Sequence, residues 1–386
     1  MKNKKKKKVM IVSIMIIALM LVGGIKLYTS SEDNGIKKVL QEIAVKLHLK
    51  EEVIKQTKGV EVVPTMLDPI SKDSAWCGTF QLVWNDMMDE IVGGDVIFTP
   101  QIAIANNLNK QQFSKDMISS EYYYKKYGLK TLELKEEIEK GINKKFNQKS
   151  DILEKFDWSN DGLDKDGTRY FFYSMLYRKF EYLKEFEELE TDTFGEDYDD
   201  VKYFGFYDTE DKEVRNQIKI LYYNSEEDFA ISIQTKSNDE VIFYKNPKGD
   251  NFEQIYENML KLAEDYTGDT ELSAEDEFRA PYIDVYVEKE YEELQNKCFK
   301  TNDPKYPEAT IIKAIQSIQF SLDEKGGEVK SEAAIDMEKN SAARPSDDIK
   351  YLFVDATFAL FIREKGKEKP YFAAKVEDID KWRVKQ

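Results

Sequence analysis

Between Val9 and Ile25 the chain carries no charged residue, and the eight residues before that run include six lysines: Lys2, Lys4, Lys5, Lys6, Lys7 and Lys8. A water-facing fold cannot absorb such a segment without stranding either the lysines or the apolar side chains. As a helix it rises about 25 Å, slightly short of a hydrocarbon core of roughly 30 Å, and Lys8 and Lys26 can snorkel to close the difference. The lysine cluster should stay cytoplasmic, which places everything after Lys26 outside. Residues 1–28 therefore read as a signal anchor, or as a signal peptide cut after Val22-Gly23-Gly24. The expected location is the cell membrane, single-pass with the C-terminal domain outside, or the secreted fraction if the segment is cleaved. No Cys follows the apolar run, so a lipoprotein anchor is excluded.

Beyond this segment there is ample material for a core, since 41% of the 386 residues are hydrophobic. A net charge of -17 would repel phosphate backbones, which excludes nucleic acid as a partner. The 23 Tyr and 22 Phe suit strands better than a helical array, and strands should dominate the second half. Cys77 and Cys298 are too few for a disulfide scaffold, so stability must come from packing.

Chemistry-bearing patterns fail one by one. Cys77 stands in Ala75-Trp76-Cys77-Gly78-Thr79-Phe80-Gln81, which has the outline of a nucleophile beside an oxyanion-stabilising glutamine. The required base is missing, because the sole histidine, His48, falls in the membrane-proximal segment; a buried cysteine on a helix is the better reading. The acidic runs Glu196-Asp197-Tyr198-Asp199-Asp200 and Glu226-Glu227-Asp228 lack the glycine spacing of a calcium loop and read as solvated turns, not metal sites. Gly23-Gly24, Gly93-Gly94 and Gly326-Gly327 lack the basic and hydroxyl residues of a phosphate loop. No cofactor and no enzymatic activity are expected.

Along the chain, residues 29–73 form an extracytoplasmic spacer. It includes an amphipathic helix on Ile36, Val39, Leu40, Ile43 and Leu47, with Asn34 as cap. Pro64 and Pro69 break any helix, and helical spacing resumes from Trp76 to Ile91, ending at Gly93-Gly94. Val96-Ile97-Phe98 reads as a short strand. Leu134, Ile138, Ile142 and Phe146 give another helix. From Arg169 onward the period changes to two.

Residues 74–386 carry a family resemblance. Arg169 to Phe186, followed by Thr191-Asp192-Thr193-Phe194, resembles the central strand of a serpin and the aromatic segment after it. Ile218 to Tyr223 with Ala230 to Ile233 resembles a strand pair of that family, and Phe252 to Leu260 the helix that follows. Ala280 to Val285 with Tyr291 to Leu294, Ile311 to Asp323, and the tail Val354 to Glu364 with Tyr371 to Val376 follow in serpin order. Asp95 to Ile102 is similar to the serpin strand that runs into a buried helix, with Thr99 in place of a serine. The stretch from Gln101 to Thr168 is shorter than in a typical serpin, which implies missing small helices and a missing edge strand.

The resemblance implies an α+β fold with a large mixed β-sheet, additional sheets, N-terminal helices and an exposed reactive loop. Thr99, Ser174 and Gln316 would form the sheet-opening region, with Gln316 facing Ser174 as a neutral hydrogen-bonded pair. Glu324, Gly326, Gly327, Glu328, Val329, Ser331 and Ala333 would form the loop hinge. The bait bond would fall at Asn340-Ser341, with Lys339 and Arg344 as alternatives that suit a trypsin-like pocket.

Strand insertion needs small or apolar residues at alternate positions. Gly327, Val329, Ser331, Ala333, Ile335 and Met337 supply one face, and Glu328, Lys330, Glu332, Ala334, Asp336 and Glu338 the other. The same alternation also fits an ordinary edge strand. Two functions are expected: a suicide inhibitor of serine or cysteine proteases on the outer surface, or a non-inhibitory serpin-like binding or scaffold protein.

Overall fold

The computed structural model describes residues 56–305, 307–329, 331–332 and 349–383. The anchor, the helix expected on 36–47, His48, and the loop positions Ala333, Lys339, Asn340, Ser341 and Arg344 lie outside the described residues. Among the described residues no helix is long and apolar enough to cross a membrane.

The fold is α+β, and from Tyr170 onward strands predominate. A seven-stranded sheet runs in the order Glu61–Val62, Ser74–Cys77 (β1), Phe372–Val376, Phe358–Glu364, Asp239–Lys245, Asp228–Gln234, Ile218–Ser225. Its middle strands are apolar on consecutive residues, as the run Phe358 to Ile362 shows, and all five of these residues are fully buried. This is the mark of a sheet covered on both faces. One cover is the helix Phe252–Asp265, which buries Phe252, Ile255, Tyr256 and Met259 and sets Tyr256 against Phe361 at 5.1 Å between ring centroids. Its N-terminus is capped by Asn251, whose side chain accepts from the Gln254 N–H. Because Glu61–Val62 pairs with Ser74–Ala75, the spacer expected to extend to residue 73 is part of the folded unit from Gln56.

A five-stranded sheet, the main sheet for the hinge, and a separate two-stranded one are built around the period-two segment. Tyr123–Leu129 (β2) pairs antiparallel with Tyr170–Leu176 (β3) over its whole length. After a break at Tyr177 the same run continues as Arg178–Glu181 (β4). Ile283–Glu290 (β5) pairs antiparallel with Ile315–Leu322 (β6) through eight residue pairs, and Gly326–Val329 (β7) lies between β6 and β4. Burial along β6 alternates strictly, with Gln316, Ile318, Phe320 and Leu322 turned inward. The outer face of β3 is covered by the helix Leu132–Phe146 (α2). Its Leu134, Ile138, Ile142 and Phe146 stripe packs on Phe171, Tyr173, Met175 and Tyr177. Thr131 caps this helix at the start and Asn147, at φ 54°, ends it in the left-handed region.

The helix beneath the main sheet is Thr79–Met87 (α1), fed by β1 and buried through Phe80, Leu82 and Trp84. The Asp95 to Ile102 segment, expected as a strand that runs into a buried helix, does so at another place, where the helix after it is Ala103–Leu108 with Ala105 and Leu108 buried. Ile97–Phe98 is a two-residue strand on Cys298–Lys300, and Thr99 beyond it is exposed. The strand that leads under the sheet, Ser74-Ala75-Trp76-Cys77, is buried on all four residues and so carries no alternation to mark it.

Candidate strand-acceptor site

The hinge is a tight reversal between β6 and β7. The Asp323 carboxylate accepts from the N–H groups of Lys325 (2.9 Å) and Gly326 (3.1 Å), and the Asp323 N–H donates to the Gly326 carbonyl at 2.8 Å. Gly326 stands at φ 150°, and a Cβ there would lie 2.1 Å from the Phe180 carbonyl oxygen, so only glycine fits between the hinge and β4. Tyr282 donates its hydroxyl to Glu324 Oε2 at 2.6 Å. Burial pushes the Glu324 carboxyl up, but hydrogen bonds from Lys325 and Tyr282 outweigh it and hold the group down to about 2. Tyr177 donates to Glu328 Oε1 at 3.1 Å, and Val329 is buried.

Below this level, among the described residues, the two strands that flank the hinge have no partner between them. β6 is paired to β7 only through Ser321 and Leu322, and β3, the downward continuation of β4, is paired only to β2. A cavity of about 780 Å³ occupies the interval. Phe172, Ser174 and Leu176 of β3 line one side, Ile315 to Gln319 of β6 the other, and Phe80, Val83 and Trp84 of α1 line the floor. Strands in a sheet lie about 4.8 Å apart, so β4 and β6, with β7 between them, stand roughly 9.5 Å apart. The cavity thus starts as a slot one strand wide, in line with the hinge, with two backbone edges facing each other that no described residue pairs with.

Polar groups inside the slot are held unequally. Gln316, 3% exposed, donates from Nε2 to the Cys77 carbonyl (2.9 Å) and to Thr79 Oγ1 (3.0 Å), and accepts from the Tyr291 hydroxyl at 2.8 Å. It ties β6 to the start of α1 and does not pair with Ser174. Ser174 Oγ is buried with no hydrogen-bond partner. The pair expected to close the gap is therefore not formed, because α1 and Tyr291 have taken up the glutamine amide. Thr99 lies outside the slot, and Thr79 stands in the place expected for it. Cys77 also borders the cavity, where burial pushes its thiol up to about 11, the reverse of an activated thiolate.

After Val329 the backbone leaves the slot line. Ser331–Glu332 pairs parallel with Arg178–Lys179 on the opposite edge of β4, outside the slot. Ser174 and Gln316, expected at a sheet opening, both border the slot, whereas Arg178, completely buried, has no place among the expectations from the sequence. Arg178 shares the inward phase of Phe180 and Tyr182, which was the available signal.

No protein-family model matches the chain, and no curated protein does. Among solved structures the chain is similar to Serpin48, a highly specific serpin of the insect Tenebrio molitor, at 13% identity and a TM-score of 0.35 over 66% of this chain and 75% of that one. It is also similar to thyroxine-binding globulin in complex with thyroxine (14%, TM-score 0.35, covering 66% and 76%) and to cleaved Serpin 42Da (12%, TM-score 0.41, covering 67% and 76%).

Proposed function

We propose that this chain is a serpin-like, single-use inhibitor of serine or cysteine proteases, acting outside the cytoplasm from an N-terminal anchor or as a secreted protein. The slot in line with the hinge supports this reading most directly. Extending the β6–β7 ladder from Ser321↔Glu328, and the β4–β7 ladder from Gly326↔Glu181, sets Ser331 between Ile318 and Leu176. The same register sets Ala333 between Gln316 and Ser174, and Met337 between Ile312 and Tyr170. Every residue assigned to the inward face is small or apolar, as a strand over α1 requires. Met337 would cover Ile312 and Tyr170, which are 59% and 41% exposed.

The chemistry belongs to the protease. Its Ser Oγ or Cys Sγ attacks the carbonyl carbon of the residue before the bait bond, Asn340 or the alternatives Lys339 and Arg344; the bond to the next nitrogen breaks, and that nitrogen, taking the proton the nucleophile gives up, leaves as a new amino terminus. The ester or thioester that remains is carried off as residues 330 onward pair with both open edges. Inhibition follows if insertion outruns hydrolysis. The driving force is the backbone pairing and apolar burial that the native slot lacks.

The course of Ser331–Glu332 favours a second reading, a non-inhibitory binding or scaffold protein whose loop stays docked on the far edge of β4. Incubation with trypsin-like and papain-like proteases separates the two. The inhibitor gives an SDS-stable complex and a cleaved form that melts well above the intact protein. Cleaved fragments alone, with an unchanged melting temperature, would leave only the scaffold reading.

A further inference from the structure

Arg178 is completely buried where β4 meets the seven-stranded sheet, and its partners come from three directions. Nε donates to Asp239 Oδ2 at 2.6 Å and Nη2 to the Ser237 carbonyl at 2.8 Å, so the guanidinium grips the start of the Asp239–Lys245 strand. Nη1 lies 3.5 Å from Glu364 Oε2, at the end of the neighbouring Phe358–Glu364 strand, where Asp239 and Glu364 are a cross-strand pair. The guanidinium carbon sits 3.5 Å from the Tyr122 ring centroid, immediately before β2. The carboxylates are held in turn. Tyr371 and Ser237 donate hydroxyls to Asp239 at 3.2 and 2.9 Å, and the Ser119 N–H donates to Glu364 Oε2 at 2.8 Å.

This cluster falls at the boundary between occupied and open sheet. The Arg178 backbone is in register with Val329 of the hinge, and one residue below it the slot begins. The Tyr177 N–H donates to the Tyr122 carbonyl at 3.1 Å, so the tops of β2 and β3 are tied to the same point. Buried ion clusters seldom add net stability over apolar residues of similar volume. Burial pushes the Asp239 carboxyl up to about 6, against the pull of Arg178, so this site too bears a desolvation cost. A cluster that stabilises little but fixes three segments in one geometry sets position.

We propose that Arg178 is a positioning residue for strand insertion: it pins β4 and the top of β2 to the seven-stranded sheet, so that the hinge is held at Val329 and the slot accepts the next residues in a single register. This rests on the insertion reading above. The test compares wild type with R178K, and with the triple variant R178M/D239N/E364Q, which leaves no orphaned buried charge. Hydrogen exchange of the intact proteins is read first. The Gly326–Val329 amides of the triple variant should exchange about tenfold faster while its melting temperature stays within a few degrees of wild type, and R178K should fall between. Unchanged exchange at the hinge overturns the proposal, whether or not the protein inhibits anything. Where wild type forms protease complexes, the triple variant should give about tenfold more cleaved product per complex at an unchanged rate of loop cleavage. An unchanged ratio overturns the positioning role. A wild type that forms no complex overturns only the inhibitory reading, and the exchange comparison still decides whether Arg178 holds the hinge.

Discussion

Replacing Ala333 by glutamate tests insertion at one position. In the register of the hinge, residue 333 enters between Ser174 and Gln316, over the start of α1, where Gln316 is 3% exposed and its amide is already committed to Cys77, Thr79 and Tyr291. No cation lies among those partners. A glutamate at that site must either bury a charge or take up a proton, and protonating an ordinary carboxyl of pKa about 4.3 at pH 7 costs about 4 kcal/mol. If half of that appears in the insertion barrier, insertion slows about 30-fold relative to hydrolysis of the acyl-enzyme. The assay is the ratio of SDS-stable complex to cleaved product, with the melting temperature of the cleaved form beside it. A333E should behave as a substrate at pH 7 and recover much of its cleaved-form stability at pH 5, where the same protonation costs about 1 kcal/mol. A333S, whose hydroxyl can meet Ser174, should match wild type. If A333E forms complexes as efficiently as wild type at pH 7, residue 333 does not enter the slot, and the register argument fails.

Three further expectations concern the site as it stands. Q316L leaves the Cys77 carbonyl, Thr79 Oγ1 and the buried Tyr291 hydroxyl without their partner, a loss of about 3–9 kcal/mol at 1–3 kcal/mol per orphaned group, visible as a lower melting temperature. G326A forces a Cβ against the Phe180 carbonyl at a positive φ and should cost about 1–3 kcal/mol or more, with faster exchange confined to the hinge and β4; a neutral result would show that the hinge does not seat there. Glu324 is held below its ordinary value of 4.5, so its contribution to hinge stability is fully present above about pH 4.5 and is lost as the pH falls toward 2. The melting curves of E324Q and wild type should therefore differ near neutral pH and converge near pH 2, and parallel curves across that range would contradict the assignment.

Local repeats made part of this architecture legible. The Leu134, Ile138, Ile142 and Phe146 stripe needs only a helix to explain it, and these residues are the buried face of α2. The alternation of Ile315–Leu322 marks a strand with one wet side. Ser74–Cys77 gave no such mark because both of its faces are covered, and the similar-looking Asp95 to Ile102 drew the assignment instead. The extent of the slot could not be read, although Ser174 and Gln316 stand on its two sides, since an unpaired edge depends on which strands fail to meet, not on any residue in them. Arg178 hid for a different reason. An arginine between Tyr177 and Lys179 looks like a surface charge until Asp239, 61 residues later, is brought against it.

The placement of Phe372–Val376 between β1 and Phe358–Glu364 reaches beyond stability. Ser74 and its partner Lys375 are roughly 300 residues apart in sequence. A ribosome or a translocation channel releases β1 long before the strand that completes its ladder. Until then the β1 edge that will receive Phe372–Val376 is bare, and it can pair with another nascent chain. Such long-range closure is slow. The seven-stranded sheet is therefore a late event in the synthesis of this molecule, and the interval before closure is when it is most exposed to aggregation and to chaperones.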